Sequence, residues 1–317
     1  GALASDAELL KLDEARGLTE PDYRRASRPF SSNCGFTISE ASQFIVLFDD
    51  ELALELGAQI HAAVPDVFVN ADGYKKSISS PGIGNYLTVG KAVAAASAIL
   101  GEEAVRRRSF VQAHGTSTPQ NRVTESHILN ETAKAFGIER WPVAAIKAYL
   151  GHSIGAASGD QLMASLGVWQ DHVLPGITTI DHIADDVQRN NLMLPMQHLA
   201  LEPDSMDIAI LNAKGFGGNN ASACLLSPSV AERLVKGRHG SEAWSAYCDR
   251  REAVVAQARA YDEAALRGDL SVRYQFGEGV LNEDDLDIQR GSIGIAGWAE
   301  RVSLELESPY ADWLSKD

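Results

Sequence analysis

Alternating strand and helix patterns across residues 109–170 constrain the fold of this chain most. The apolar runs Ser109–Ala113 and Val143–Ala148 have the length and composition of strands. Asn121–Phe136 and Ser153–Gln170 carry apolar residues at helical spacing. Strands that alternate with helices of this length are typical of a layered α/β sheet. The sequence therefore predicts an α/β fold.

Further elements of the same kind flank this region. The predicted ones are strands at Gln43–Phe48 and Val64–Val69, a helix at Val89–Leu100, and an antiparallel strand pair at Ile208–Asn212 and Ala221–Leu226. All of them fit the same layered sheet.

The character of the sequence changes at Ser229. Glu242–Leu266 predicts one amphipathic helix, because apolar residues share one face and charges the other. Two short strands, Ser271–Phe276 and Ser292–Ala296, and an acidic turn at Asn282–Asp287 complete an added α+β tail. We predict two domains, residues 1–228 and 229–317.

Composition indicates a globular protein of a reducing compartment. The 317 residues are 45% hydrophobic, enough to bury a large core. Three irregularly spaced cysteines argue against a disulfide framework. The first twelve residues lack the apolar core of a signal peptide, and no run reaches the ~18 apolar residues of a membrane span. We therefore expect a cytoplasmic location and no membrane span.

The net charge of −15 argues against nucleic acid as a partner. Three basic clusters could still bind an acidic protein: Arg24–Arg25, Lys75–Lys76 and Arg106–Arg108. Solvated surface is the favoured interpretation of each cluster.

Polar residues with catalytic potential lie at the ends of the predicted strands. His114 follows a buried strand, and Glu125 shares a helix face with Ile128 and Leu129. A carboxylate that faces a core costs several kcal/mol in effective terms unless a cation meets it. Lys147, at the end of the next predicted strand, is the expected cation.

Two glycine-rich motifs follow. His152 begins the run HSIGAASG, whose small residues let a helix N-terminus pack closely, and Gly215–Gly218 reads GFGG. Taken singly, these features are more often structural: a bonded histidine, an ion pair, packed helices and a bulge. Their combination, without zinc-like cysteine spacing, favours an active site.

The order of these motifs resembles the C-terminal half of β-ketoacyl-acyl carrier protein synthases, which are condensing enzymes of the thiolase fold. HGTST begins at His114, a Glu follows eleven residues later, a Lys stands five residues before the second His, and GAA and GFGG complete the set. The resemblance runs from Arg28 to Pro228. It implies half of a thiolase-like layered α/β/α/β/α fold.

The resemblance implies a role for each polar residue. His114 and His152 would bind the thioester carbonyl of malonyl-carrier protein, assist its decarboxylation and stabilise the enolate. Lys147 would pair with Glu125 and maintain the electrostatics of both histidines.

The same resemblance assigns the substrate-binding residues. Thr116 and Thr118 would hydrogen-bond the phosphopantetheine arm of the carrier protein or of CoA. The Phe216 amide would complete an oxyanion hole, and its ring would gate the acyl pocket. Gly215, Gly217 and Gly218 would let the backbone approach the substrate closely.

The sequence departs from the family at several positions. Arg122 stands where the family has Asp, and Lys214 and Asn219 replace Phe and Thr around GFGG. The family's cysteine nucleophile has no counterpart: Cys34 lies downstream of the expected site, Cys224 in an apolar strand and Cys248 in the tail helix.

Two functions follow from the resemblance. The first is 3-oxoacyl-ACP synthase activity in fatty-acid or related lipid synthesis: a decarboxylative condensation of an acyl primer with malonyl-acyl carrier protein. The expected partners are then an N-terminal half with the nucleophilic Cys, the acyl carrier protein, an acyl-CoA or acyl-ACP, and a second copy in a homodimer. No metal or other bound cofactor is expected. The alternative is a non-catalytic partner subunit of the chain-length-factor type.

Overall fold

The computed structural model describes residues 25–32, 35–74, 82–269 and 275–311. Its helices are α1 (Asp50–Leu56), α2 (Ile83–Leu100), α3 (Glu102–Arg107), α4 (Pro119–Ala135), α5 (Lys147–Leu150), α6 (Ala157–Asp171) and α7 (Pro228–Leu266). Its strands are β1 (Ala63–Ala71), β2 (Ser109–Gln112), β3 (Trp141–Ala144), β4 (Val173–Leu174), β5 (Leu192–Met193), β6 (Leu199–Ala200), β7 (Ile208–Gly215), β8 (Asn219–Leu226), β9 (Leu286–Gln289), β10 (Ser292–Ile295) and β11 (Val302–Ser303). Short 3₁₀ turns lie at Ile154–Ala156 and Glu283–Asp285.

A six-stranded mixed sheet organises the first of two compact units, residues 1–256. Its strand order is β1-β8-β7-β2-β3-β5. The β1, β8 and β7 strands pair antiparallel, whereas β7, β2, β3 and β5 run parallel. The parallel β7, β2 and β3 therefore end at the same edge of the sheet.

Both faces of this sheet are buried, and the sequence of β7 shows why. Ile208 and Ile210 belong to a cluster with Val89 and Leu129 of helices α2 and α4. The intervening Ala209 and Leu211 belong to a second cluster with Val168 of α6. Because successive side chains of a strand point to opposite faces, a continuous apolar run fits a strand covered on both sides. The predicted α/β class is correct.

Helix α2 lies against the sheet through its first three turns. Residues from Gly84 to Ala96 on one side of the helix are buried. In the described part of the chain, α2 is the one helix whose length and apolar composition would be sufficient to span a membrane, and 39% of it is buried in the protein. A core helix can have the same length and composition.

The second unit, residues 257–317, contains an antiparallel sheet in the order β11-β10-β9. The predicted strand at Ser292–Ala296 corresponds to β10, and the acidic turn at 282–287 contains a 3₁₀ turn followed by β9. Helix α7 begins at Pro228 and is interrupted at Gly240, so the predicted helix 242–266 is its second part. Most of the predicted strand 271–276 lies outside the described residues. The predicted domain boundary at 228/229 stays a prediction.

The strand predicted at Gln43–Phe48 is wrong. This segment has no regular secondary structure and precedes α1. Its apolar side chains are exposed: Phe44 is 95% exposed, Val46 72% and Leu47 75%. The sequence has strand character, but a strand forms only where a neighbour satisfies its backbone, and among the described residues this segment has no paired strand.

The other elements agree with the patterns to within a few residues, with one exception near the site. The strand predicted to reach Ala148 ends at Ala144, and Lys147 instead begins helix α5. The antiparallel pair around GFGG is confirmed and is longer than predicted, because β7 and β8 pair from Ile208–Leu226 to Gly215–Asn219.

Candidate active site

The predicted site residues meet at the common edge where β2, β3 and β7 end. His114 follows β2, Lys147 follows β3, and the GFGG loop follows β7. His152 lies between α5 and the 3₁₀ turn that precedes α6. Because parallel strands end together, segments that are distant in sequence meet here.

A cavity of about 420 Å³ opens at this edge. It is lined by predicted site residues from all three motifs: His114, Thr116, Thr118, His152, Gly215, Phe216 and Gly218. Lys147 and Glu125 do not line it and lie buried, with 2% and 0% exposure. The lining residues can therefore contact a ligand directly, whereas Lys147 and Glu125 are buried behind the cavity wall.

The two histidines face each other, with ring centroids 5.4 Å apart. Nδ1 of His114 accepts a hydrogen bond from the Lys214 amide at 3.3 Å. Nδ1 of His152 accepts one from the Ile154 amide at 3.0 Å. An accepting Nδ1 places the proton of a neutral imidazole on Nε2. Both rings are therefore fixed as Nε2–H donors.

Burial and charge keep both rings neutral. Desolvation, and then the charge of Lys147, lower the pKa of His152 to about 4. The same two causes hold the pKa of His114 well below its usual value of 6.5. The site thus presents two uncharged N–H donors at neutral pH.

Residues 35–39 hold His152 from the other side. The Phe36 ring lies 5.3 Å from the His152 ring, centroid to centroid. The His152 amide donates to the Thr37 carbonyl at 2.7 Å, and the Ser39 amide donates to the His152 carbonyl at 3.1 Å. These two backbone hydrogen bonds form a short parallel bridge that fixes the backbone of His152.

Glu125 anchors His114, and the predicted ion pair between Glu125 and Lys147 is wrong. One carboxylate oxygen accepts from the His114 amide and from Asn212 Nδ2, both at 2.7 Å. The other accepts from the Gly115 amide and Asn121 Nδ2, both at 2.8 Å. Four N–H donors satisfy the buried carboxylate, so it needs no cation in contact.

Lys147 is a buried ammonium whose Nζ has no hydrogen-bond partner among the residues that the structure describes. Desolvation lowers the pKa of Lys147 to about 8, against the opposing effect of the Glu125 and Asp160 carboxylates. At neutral pH the group stays largely protonated. Its charge acts on the histidines through space rather than through a bond.

The GFGG loop is the tight connection between β7 and β8. Gly217 and Gly218 have φ values of 80° and 86°, which favour glycine. A Cβ at Gly218 would lie 2.7 Å from an Asp72 carboxylate oxygen. Phe216, at the tip, is 79% exposed and faces the cavity.

Asp72 fixes this loop and was missed in the sequence. Its amide donates to the Gly218 carbonyl at 2.8 Å. Its carboxylate accepts from the Gly84 amide at 3.0 Å and from Asn220 Nδ2 at 2.8 Å. The only sequence signal is an Asp-Gly pair after a strand, which reads as an ordinary turn.

Three further buried polar residues were missed. Asn212 lies within the apolar run of β7, and a polar residue there was a usable signal. Gln161 Nε2 lies 2.7 Å from the Ala113 carbonyl and 2.9 Å from the Asn212 carbonyl, so it ties β2 to β7 beside His114. Asp160 accepts a hydrogen bond from the Ser153 hydroxyl at 2.5 Å. Its negative charge acts to raise the pKa of His152, against the larger effects that lower it.

The remaining predicted residues have ordinary surroundings. The hydroxyls of Thr116 and Thr118 are 3.1 Å apart at the cavity wall. Burial raises the pKa of the Cys224 thiol to about 12, so it is not an activated nucleophile. Cys34 lies outside the described residues.

The basic cluster Arg106–Arg108 is engaged in ion pairs. Its partners are Glu102, Glu103 and Asp207. This agrees with the solvated-surface interpretation. Lys75, Lys76 and Arg24 of the other two clusters lie outside the described residues.

Comparisons with known proteins identify the family of this chain. Residues 61–181 match the family model described as the β-ketoacyl synthase C-terminal domain. The chain is 51% identical over 314 residues to the β-ketoacyl-[acyl-carrier-protein] synthase FabY of Pseudomonas aeruginosa. The chain belongs to the β-ketoacyl synthase family. The match covers 99% of this chain and 49% of FabY, so the chain spans about half the length of that relative.

Other relatives and solved structures of the family are similar over about half of their own length. The 3-oxoacyl-[acyl-carrier-protein] synthase 2 of Vibrio cholerae is 30% identical, over 63% of this chain and 46% of its own length. A crystal structure of the ketosynthase FabY from P. aeruginosa superposes with a TM-score of 0.88 over 99% of this chain and 48% of that one. The ishigamide ketosynthase/chain length factor is 26% identical, with a TM-score of 0.56 over 72% and 52% of the two chains. The fold is that of the thiolase-fold ketosynthases.

Replacing Glu125 with Gln should destabilise the protein. Each carboxylate oxygen of Glu125 accepts two hydrogen bonds, and in the variant an NH₂ group that cannot accept them replaces one of these oxygens. Two buried N–H donors would then lack an acceptor, and each costs about 1–3 kcal/mol. We expect the free energy of unfolding, measured by urea denaturation, to fall by at least that amount. Glu139→Gln, an exposed position, is the matched control and should change it by less than about 0.5 kcal/mol. Equal midpoints for the two variants would contradict the anchoring role.

Stability should rise with pH because of the two histidines. Their pKa values are lower in the folded protein than the unfolded value of 6.5, so the unfolded chain binds more protons between about pH 4 and 6.5. The free energy of unfolding therefore increases across that window. A His114→Asn/His152→Asn double variant should show a smaller increase, whereas His61→Asn, at an exposed position, should keep the original slope. An unchanged slope in the double variant would rule out neutral buried rings.

Proposed function

We propose that this chain provides the decarboxylating part of the active site of a 3-oxoacyl-ACP synthase. The observation that carries the proposal is the pair of neutral Nε2–H donors, 5.4 Å apart between ring centroids, at the wall of one cavity. Two N–H donors at the wall of one cavity suit an oxygen that gains negative charge during the reaction. The names of the relatives support the same reaction class.

The reaction proposed is the loss of CO₂ from malonyl-acyl carrier protein followed by condensation with an acyl primer. The bond between the carboxylate carbon and the α-carbon breaks, and its electron pair forms the enolate, with charge on the thioester oxygen. His114 and His152 donate to that oxygen more strongly as its charge grows, so they stabilise the transition state more than the bound substrate. The α-carbon then attacks the primer thioester, and the thiolate that carried the primer leaves.

Lys147 supports this chemistry without touching the substrate. As a buried ammonium it opposes protonation of His152, and it adds positive potential where the enolate forms. Glu125 holds the His114 backbone, and the Phe216 loop, whose glycines allow close approach, supplies the amide for a second oxyanion site. Thr116 and Thr118 are placed to hydrogen-bond a phosphopantetheine arm.

The primer-carrying thiol is proposed to come from a polypeptide segment other than these 317 residues. Cys224 is buried with a raised pKa, and Cys248 is on helix α7, away from the residues that line the cavity. The exposed apolar segment Phe44–Phe48 gives independent support, because such a surface is usually covered by a partner. An N-terminal half of the same synthase is the proposed source of that cover and of the nucleophilic Cys.

The proposed partners follow from this reaction. They are the acyl carrier protein, an acyl-CoA or acyl-ACP primer and a second copy in a homodimer of the complete enzyme. The phosphopantetheine arm arrives with the substrate. A cytoplasmic location fits the three irregularly spaced cysteines.

The alternative, a non-catalytic subunit of the chain-length-factor type, has weaker support. The similarity to the ishigamide ketosynthase/chain length factor fits either role. A subunit that only shapes a partner's cavity has no chemical use for two oriented histidines and a buried ammonium. The site geometry therefore favours the catalytic proposal.

Replacing His152 with Ala in the complete enzyme should slow malonyl decarboxylation. Loss of one such donor costs about 2.7–4 kcal/mol, or roughly 10²–10³-fold in kcat. Release of CO₂ from malonyl-carrier protein measures this step directly. His61→Ala should leave the rate unchanged, because His61 is exposed and does not line the cavity. A normal rate for His152→Ala would exclude the catalytic proposal.

Labelling with a thiol-reactive acyl mimic should identify the cysteine that acts as the nucleophile. We expect intact-mass spectrometry and peptide mapping of the protein from its natural source to find the label on a cysteine outside these 317 residues. A label on Cys34, Cys224 or Cys248 would contradict the proposed companion segment.

A further inference from the structure

Lys214 brings a positive charge to the cavity at a position where the family has an aromatic residue. It is the seventh residue of β7, pairs with Asn220 of β8, and lines the cavity next to the GFGG loop. Its side chain is partly buried. None of the roles assigned above uses this ammonium.

Contacts on both sides hold Lys214 in place. Its amide donates to Nδ1 of His114 at 3.3 Å, so its backbone is fixed relative to a ring that binds the substrate. Its Nζ donates to the Thr124 hydroxyl of helix α4 at 3.0 Å. Thr124 also lines the cavity. The ammonium therefore has a defined position at the wall of the cavity that both histidines line.

The charge balance of the cavity makes this position distinctive. Among the described lining residues, Lys214 is the one with a formal positive charge, because both histidines are neutral. The one acid in the lining, Asp72, accepts hydrogen bonds from the Gly84 amide and from Asn220. A ligand that enters the cavity thus meets neutral donors, the Lys214 ammonium and the hydrogen-bonded Asp72 carboxylate.

We propose that Lys214 is a specificity-determining residue that binds the free carboxylate of the malonyl substrate and so distinguishes it from uncharged acyl thioesters. This inference rests on the proposed function, which places the malonyl thioester oxygen at the two histidines. The carboxylate is attached to the carbon next to that thioester carbonyl, so it lies in the cavity that Lys214 also lines. An ammonium–carboxylate contact is a charge-assisted hydrogen bond.

The role predicts a particular kinetic effect. The carboxylate loses its charge as it becomes CO₂, so the contact with Lys214 is stronger in the bound substrate than in the transition state. Removing the ammonium should therefore raise KM for the malonyl substrate while kcat for CO₂ release is unchanged or higher. A structural role alone would lower stability without this split.

The experiment compares two uncleavable probes by calorimetry on the complete enzyme: the amide analogues of malonyl-pantetheine and of acetyl-pantetheine, which differ only in the carboxylate. The unmodified protein should bind the malonyl probe at least about tenfold more tightly. Lys214→Met should remove that preference and Lys214→Arg should retain most of it. Thr124→Val, which keeps the charge but releases its anchor, should reduce the preference partly.

Lys91→Met is the matched control, because Lys91 is an exposed lysine of helix α2 outside the cavity lining. It should keep the full preference. A Lys214→Met variant that still prefers the malonyl probe, or an unmodified protein without preference, would overturn this inference and leave the proposed function standing. An unmodified protein that binds neither probe would overturn both.

Discussion

The contact between the Glu125 carboxylate and four N–H donors is the interaction on which the rest of the site depends. A buried carboxylate is costly unless its lone pairs are used, and here the backbone of His114 and Gly115 and the side chains of Asn121 and Asn212 use them. The same bonds fix the end of β2 relative to helix α4 and strand β7. The orientation of His114 is therefore set by a network that is rigid only when all its members are present.

That network also explains why Lys147 can remain without a bonded partner. Glu125 is close enough to favour the charged form of Lys147, yet its oxygens are already occupied. The carboxylates of Glu125 and Asp160 stabilise the positive charge of Lys147 from a distance, and neither forms a hydrogen bond with it. Its field still reaches the histidines, which a tight ion pair would weaken.

Much of the fold could be predicted because its signals are local. The helices at Asn121 and Val89 and the hairpin around GFGG follow from periodicity and glycine spacing, and the order of motifs identified the family. The partner of Glu125 could not be predicted, because the donors are backbone amides and amide side chains whose positions depend on tertiary packing. Asp72 and Gln161 were missed for the same reason, since neither differs in sequence from an ordinary turn or helix residue.

The exposed segment Gln43–Phe48 has a consequence for handling the protein. Six successive residues without charge, proline or glycine, and with high strand propensity, have the composition of segments that pair with copies of themselves. Here Phe44 and Leu47 are in solvent and the backbone is not paired with another strand of the described chain. Molecules of this chain whose exposed segments meet can therefore pair with one another. This association limits the recovery of soluble material at high protein concentration, and the stability of the core does not remove that limit.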